Sequence, residues 1–356
     1  MKHSYTNSID REVMIMLQPG LFDMEDRLRR LEAAGDPLVT LRRAVDFEMF
    51  RPMLEPIHEK ERKSNAGRKP LDVVLMFKVL VLQSLYNVGD DSMEFQIDDR
   101  LSWRLFLRLP QGVKPPDAKT IWLFRDMLTK AQLTESLFNL FEAHLKASGF
   151  AARKGQIIDA SIVEAPRQRN TREENEVVKE GCMPEEWDET PRKQRQKDVD
   201  ARWVVKNDKT YYGYKNHINV DVKHKFIRHY AVTDAARHDS QIFEELIDDD
   251  NTRREVWADS AYFSEKIMEK LEEWGFRQRI QRKGDRGHSL TQWEIQGNRT
   301  RAKTRARVEH VFGMQKMRAG DLLIRTIGIA RARCKIGLRN LAYNLSRYAR
   351  LTAKCA

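Results

Sequence analysis

Apolar and polar positions along this chain follow two different periods, and the change falls near residue 150. Before it, apolar side chains recur at helical spacing. Residues 1 to about 60 read as helical and irregular, with modest stripes at Leu28 and Leu31 and at Val45, Phe47 and Phe50. Residues 60–69 are polar and basic around Gly67, the marks of a linker, and Pro70 suits a first helical position. Behind it, Val73, Val74, Phe77, Leu80, Val81 and Leu85 form one apolar face. Leu75, Met76, Val79 and Leu82 make the opposite face apolar too, which predicts a central, buried helix. Gly89 is expected to end it, with Asp90 or Asp91 capping the next helix. Phe95, Ile97, Leu101, Trp103, Leu105, Phe106 and Leu109 continue a helical core. After a loop at 110–116, Asp117 is expected to cap a helix over 118–129. Ile121, Leu123, Phe124 and Met127 would face inward, with Lys119, Thr120, Trp122 and Arg125 on or near the outside. Such a trio of helices is either plain scaffold or a helix-turn-helix-like unit, in which Lys119 and Arg125 would contact DNA.

After Gly149 the pattern shortens to strand spacing. Strands are predicted over 156–163, 211–222 and 226–233, the last two joined by a turn at 223–225. Short strands follow at 255–258 and 277–280, and helices at 238–248, 264–274, 299–317 and 329–353. Residues 167–200 are rich in Arg, Lys, Glu and Gln, which predicts a mobile polar insertion. The fold class is therefore α/β: a mixed sheet flanked by helices, preceded by an all-α region. The expected units are 1–60, 61–150 and 151–356.

Composition adds a partner. The chain has 356 residues, 41% apolar and 33% charged, with a net charge of +11. Residues 277–356 hold 20 Lys or Arg against 4 Asp or Glu, so the remaining 276 residues are net acidic. A basic excess confined to one end favours a polyanion, most simply DNA or RNA, over mere solubility. In the last predicted helix, Arg331, Arg333, Lys335, Arg339, Arg347 and Arg350 alternate with apolar residues. That pattern predicts a basic outer face making salt-sensitive phosphate contacts, Arg339 among them. Cys182, Cys334 and Cys355 form neither a disulfide framework nor a zinc motif, and a cytoplasmic setting is expected. The apolar run 73–85 is interrupted by Lys78, Gln83 and Ser84, so no membrane helix is expected.

Three short stretches carry the chemistry. Asp159 lies in the apolar run Ile157-Ile158-Asp159-Ala160, and Asp259 ends Val256-Trp257-Ala258. Glu309 lies on a helix, four residues after Arg305 and seven before Lys316. At about 100° per residue, these three share one helical face within roughly 40°. Two strand-borne aspartates and a helix-borne glutamate can hold a pair of Mg²⁺ or Mn²⁺ ions for phosphodiester chemistry. Each piece has a plainer meaning. Asp159 could bond to backbone, Asp259 could cap a helix, and Arg305, Glu309 and Lys316 could be a surface ion-pair row.

Taken together, the blocks resemble the bacterial insertion-sequence transposases of the IS-five type. Residues 158–166 (IDASIVEAP) resemble the family's first catalytic block, 212–221 its second conserved strand, and 258–262 the block around the second aspartate. Arg305, Glu309 and Lys316 match its arginine, glutamate and lysine spacing, and residues 67–109 resemble its helical leader domain. Ala302 stands where the wider superfamily has a tyrosine. The resemblance implies an RNase H-like core in which Asp159, Asp259 and Glu309 bind two metal ions. Water would cut DNA at the element's terminal inverted repeats, and the freed 3′-hydroxyl would attack target DNA. Arg305 and Lys316 would hold phosphates, and a homodimer or larger assembly would pair the two ends. Trp293 is a candidate for stacking on an extruded base, while His217, His238 and His310 are expected to be ordinary hydrogen-bonding residues. A standalone RNase H-like nuclease or resolvase, and a non-catalytic regulator derived from a transposase, are the alternatives.

Overall fold

The computed structural model describes residues 23–58, 69–206, 208–284, 287 and 289–354. Apart from Lys69, the expected linker with Gly67 and Arg68 lies outside the described residues, as does Cys355. Two short helices, α1 (Asp23–Ala33) and α2 (Pro37–Ala44), precede the central helix α3 (Val73–Tyr86). Asp72 starts α3 by accepting from the Leu75 amide at 2.9 Å, so Pro70 stands before the cap and is not the first helical residue. Both faces of α3 are buried, as the unbroken apolar pattern requires. Asn87 ends it in the left-handed conformation, two residues before the expected Gly89. Four helices complete this layer: α4 (Asp90–Asp99), α5 (Leu101–Leu107), α6 (Ala118–Lys130) and α7 (Leu133–Ala147). Asp117 caps α6 on the Thr120 amide at 2.7 Å.

The second half builds a six-stranded mixed sheet. Its strands are β1 (Gln156–Glu164), β2 (Arg202–Lys206), β3 (Lys209–Asp221), β4 (Ile227–Asp234), β5 (Glu255–Ala258) and β6 (Arg277–Ile280). β3 is antiparallel to β1, β2 and β4, whereas β1–β5 and β5–β6 are parallel. β1 is therefore central, and its residues are buried on both faces: Ile157 joins the core shared with the helical layer, and Ile158 joins a second core around Phe243 and Tyr262. This is the expected RNase H-like arrangement. The segment 238–248 forms two single 3₁₀ turns where one helix was expected.

Gly213 sits where β1 and β2 both meet β3, with φ +152°. A Cβ there would lie 2.3 Å from the Val163 carbonyl oxygen and 2.8 Å from the Ala165 nitrogen. Both obstacles are backbone and cannot rotate away. Gly213→Ala is expected to cost at least about 2–3 kcal/mol, read as a lower denaturation midpoint. A midpoint equal to wild type would show that the two strands can separate freely.

The polar insertion is folded, not mobile. It contains α8 (Arg172–Lys179) with a complete capping box, and Trp187 is fully buried. The Trp187 indole donates to the Glu174 carboxylate at 2.7 Å, and Lys193 pairs with the same group. Asp198 accepts from the Tyr214 hydroxyl at 2.7 Å, tying the insertion to β3. A few charged hydrogen bonds do here what an apolar core does elsewhere.

Three more helices finish the chain: α9 (Glu265–Glu273), α10 (Gln292–Ala319) and α11 (Ile329–Thr352). α11 runs between α2, α3, α6 and α7 on one side and β4 on the other. Asn344 grips β4 by accepting from the Ile227 amide and donating to its carbonyl. The expected basic outer face of α11 is therefore largely turned inward. Arg331 pairs with Asp126, Arg347 donates to the His224 carbonyl, and Arg339 is buried. Burial of the helix between two layers forces its cations to find internal acceptors. No single helix among the described residues is long and apolar enough to cross a membrane.

Candidate active site

Parallel pairing sets Gln156 opposite Val256 and Ile157 opposite Trp257. Asp159 and Asp259 each lie two residues beyond that paired stretch, near enough for the Asp259 charge to act on Asp159. Asp159 is the polar interruption of an apolar strand, and Asp259 stands at the turn where β5 ends. Asp159 accepts from the Ala160 amide at 2.8 Å. Asp259 accepts from the Ala261 amide at 2.8 Å and so caps the 3₁₀ turn Ser260–Tyr262. The plainer reading of Asp159 is thus realised, whereas the helix that Asp259 was expected to cap is capped by Ser264; each carboxylate still has oxygen lone pairs to spare.

The third acid arrives on α10. Arg305 donates to Asp159 at 3.1 Å, and its other terminal nitrogen lies 3.8 Å from Glu309. One guanidinium thus bridges the two carboxylates. The Glu309 side chain is 65% exposed, whereas that of Asp159 is only 14% exposed. Among the described residues, no three acidic, His or Cys side chains lie close enough to grip one metal ion. The structure therefore brings Asp159 and Asp259 together, and it holds Glu309 one guanidinium away.

Burial pushes the Asp159 carboxyl up to about 6. The Ala160 amide and Arg305 work against that rise, Asp259 adds to it, and Lys206 opposes it. Two carboxylates side by side with one resisting ionisation form a site that favours added positive charge. Arg305 already supplies part of it. The hard-oxygen donor set, and a cation bridging two of its members, fit a divalent ion.

α10 is held in register from behind. Asn216 of β3 and Asn340 of α11 exchange paired amide hydrogen bonds of 3.0 Å, and Gln315 of α10 donates to Asn340 at 3.1 Å. Arg339 donates to the Gln315 and Gly320 carbonyls at 2.7 Å each. That clamp fixes which face of α10 turns toward the sheet. A cleft of about 500 Å³ begins directly beyond Asp159, walled by residues 160–164, Lys206, Asn216 and Lys316. Lys316 is 60% exposed there and pairs with Asp321 at 2.7 Å.

The model of the Transposase DDE domain matches residues 151–345, more than half of the chain. The chain belongs to the DDE transposase family. A second transposase domain model matches residues 26–127 of this DDE transposase, covering most of the described helical layer. A cryo-EM structure of a piggyBac transposase synaptic complex with hairpin DNA is similar at 12% identity. The match covers 90% of this chain and 76% of that one, with a TM-score of 0.47. The transposase is thus a DNA-transposing enzyme of a family that works with divalent metal ions.

Two expected DNA contacts of the transposase, Arg125 and Arg339, are buried in the DNA-free protein. Arg125 is buried and makes two hydrogen bonds, of 2.7 and 2.5 Å, to Asp90, because a cation on that face of α6 meets an acid at the start of α4. Asp90 is therefore spent on Arg125 and caps nothing. Arg339 is buried and feeds backbone carbonyls, as described. Lys119 is exposed, and Trp122 beside it is 44% exposed. Trp293 is 72% exposed, with the Arg282 guanidinium 5.8 Å from its ring centre. His217 is fully buried and bonds to the Thr233 hydroxyl, while His310 is exposed and His238 bonds locally to Ser240. Sequence reasoning missed Lys206, because it missed β2. The run Trp203-Val204-Val205 before Asn207-Asp208 is a strand followed by a turn signal.

Proposed function

We propose that the transposase cuts DNA at the ends of an insertion sequence of the IS-five type and joins the freed ends to target DNA. Asp159, Asp259 and Glu309 are its catalytic and metal-holding residues. The observation that carries this is the bridging guanidinium: Arg305 joins Asp159 to Glu309, while Asp259 stands near enough for its charge to act on Asp159. Two Mg²⁺ or Mn²⁺ ions held by these carboxylates would activate the attacking oxygen and stabilise the departing one.

The chain's own residues divide the remaining work. The backbone amides of Ala160 and Ala261 each hold one oxygen of an aspartate, leaving the second oxygen of each to take a metal ion once Arg305 releases Asp159. Glu309, exposed and on a clamped helix, swings inward when Arg305 lets go. Arg305 then turns its fork to a DNA phosphate, and Lys316 does the same at the cleft wall. In the first step water adds to phosphorus and the 3′-oxygen leaves as a hydroxyl. In the second that hydroxyl adds to a target phosphorus and displaces another 3′-oxygen. One phosphodiester replaces another, so no ATP is consumed.

Pairing two ends requires at least a homodimer in the DNA complex, and the setting is the nucleoid of a bacterial cytoplasm. Cleavage and strand transfer should be assayed separately on DNA carrying the element's terminal repeats. Glu309→Gln is expected to lose at least about 10²-fold in both. Retention of wild-type rates would remove Glu309 from the site. Nicking without strand transfer in the wild type would favour the nuclease reading.

A further inference from the structure

Beside the cleft, beyond the segment 320–326, lies a second cavity of about 360 Å³. Leu322 and Arg339 line both, so the two spaces are neighbours. One wall of the second cavity belongs to the helical layer, with Asn87 and the half-exposed Trp122. The other belongs to the C-terminal third of the chain, with Arg325, Thr326, Lys335 and Arg339.

The charge around this cavity is unbalanced. Its acids are Asp90 and Asp91, and its cations are Arg125, Arg325, Lys335 and Arg339. Asp90 is engaged by Arg125. That leaves Arg325, Lys335 and Arg339 with Asp91, although Asp90 also attracts Lys335 and the neighbouring Asp321 attracts Arg339. Among the described residues neither Arg325 nor Lys335 has an ion pair or hydrogen-bond partner. Burial and the nearby Arg125 bring the Lys335 ammonium down to about 8. Arg339 is only 7% exposed, and while one terminal nitrogen serves two carbonyls, the other is buried with no partner. The Thr326 hydroxyl is buried and unpartnered as well.

Buried donors are nearly always satisfied, and partnerless cations are rarely kept out of water without a reason. Two orphaned donors, the half-buried Lys335 ammonium and the exposed Arg325 guanidinium around one cavity favour a ligand rich in acceptors and negative charge. A tetrahedral phosphate offers both, and it suits a guanidinium fork. The cavity adjoins the cleft that begins beyond Asp159, along which a DNA strand would run in the proposed reaction.

We propose that this cavity seats a backbone phosphate of that DNA strand, held by Arg325, Lys335 and Arg339 with help from Thr326. The proposal rests on the transposase reading of the neighbouring cleft. It makes the strand a bridge between the helical layer and the sheet, so that DNA is gripped by both halves of the chain at once.

The test is the salt dependence of binding to element-end duplex, measured without divalent cation so that no cleavage occurs. It is blind to whether Glu309 is catalytic, so the two readings can fail separately. Arg325→Gln and Lys335→Met should each lower the slope of log affinity against log salt by about 1. Lys335→Arg should restore the wild-type slope. Arg325 is exposed, and Lys335→Met removes a buried charge, so both variants are expected to fold. Inorganic phosphate should raise the melting midpoint of the DNA-free wild type more than that of either variant. Unchanged slopes in both variants would overturn the proposal. A lost phosphate response with unchanged slopes would overturn the DNA assignment and leave a free-anion site.

Discussion

Asp159→Asn is expected to abolish cleavage at element ends, by at least about 10³-fold, and yet to stabilise the metal-free protein at pH 8. The two effects have one cause. Asp159 is nearly buried beside Asp259, and its carboxyl rises to about 6 because burial disfavours the charged form. In the unfolded chain it titrates near the ordinary aspartate value. Between those two values the folded protein holds the extra proton, so stability falls as pH rises from about 4 through about 6. Above that window the ionised carboxylate costs the metal-free fold roughly 2–3 kcal/mol. Asparagine keeps an acceptor for Arg305 and removes the charge. The variant's melting midpoint should therefore exceed that of wild type by a few degrees at pH 8 in chelator, and the difference should vanish below about pH 4. Equal midpoints at pH 8 would mean that Asp159 carries no buried charge.

Arg228→Met is expected to be the most destabilising single change away from the site, at about 3–5 kcal/mol. Arg228 is 1% exposed and holds three groups from different parts of the chain. It bonds to Asp221 at 3.0 Å, to Glu142 of α7 at 2.8 Å and to the Phe150 carbonyl at 2.7 Å. Asp221 in turn accepts from the His224 and Phe226 amides and closes the β3–β4 turn. Burial raises the Glu142 carboxyl, and Arg228, with a smaller part from Lys146, opposes that rise. Methionine fills similar space but strands two buried carboxylates. In the variant the buried Glu142 carboxyl would rise further above its unfolded value, so the deficit should be full at pH 8 and shrink as pH falls toward 5. Urea titrations at the two pH values measure it, and a deficit below about 1 kcal/mol at pH 8 would show that water already reaches this network.

The candidate acids stood out in the sequence because a charge inside an apolar strand is costly and therefore conspicuous. Asp159 and Asp259 each interrupt or end such a run, and the parallel β1–β5 pairing brings the two strand ends that carry them side by side. The all-apolar face pattern of α3 foretold its central place in the same way. Cations were harder to read. Arg125 and Arg339 look like surface residues by composition, but each is buried against an acceptor that is far away in sequence, Asp90 for one and the Gly320 carbonyl for the other. No local pattern encodes such a partner. The insertion misled for the opposite reason: a single buried Trp187 and one shared Glu174 are enough to order it, and composition averages them away.

The most direct measurement is a manganese anomalous-scattering map from crystals of the full chain bound to element-end DNA. The account predicts metal peaks ligated by Asp159, Asp259 and Glu309, with Arg305 turned from the carboxylates to a phosphate. Peaks that leave Glu309 still paired with Arg305, or that lie away from the two aspartates, would contradict it.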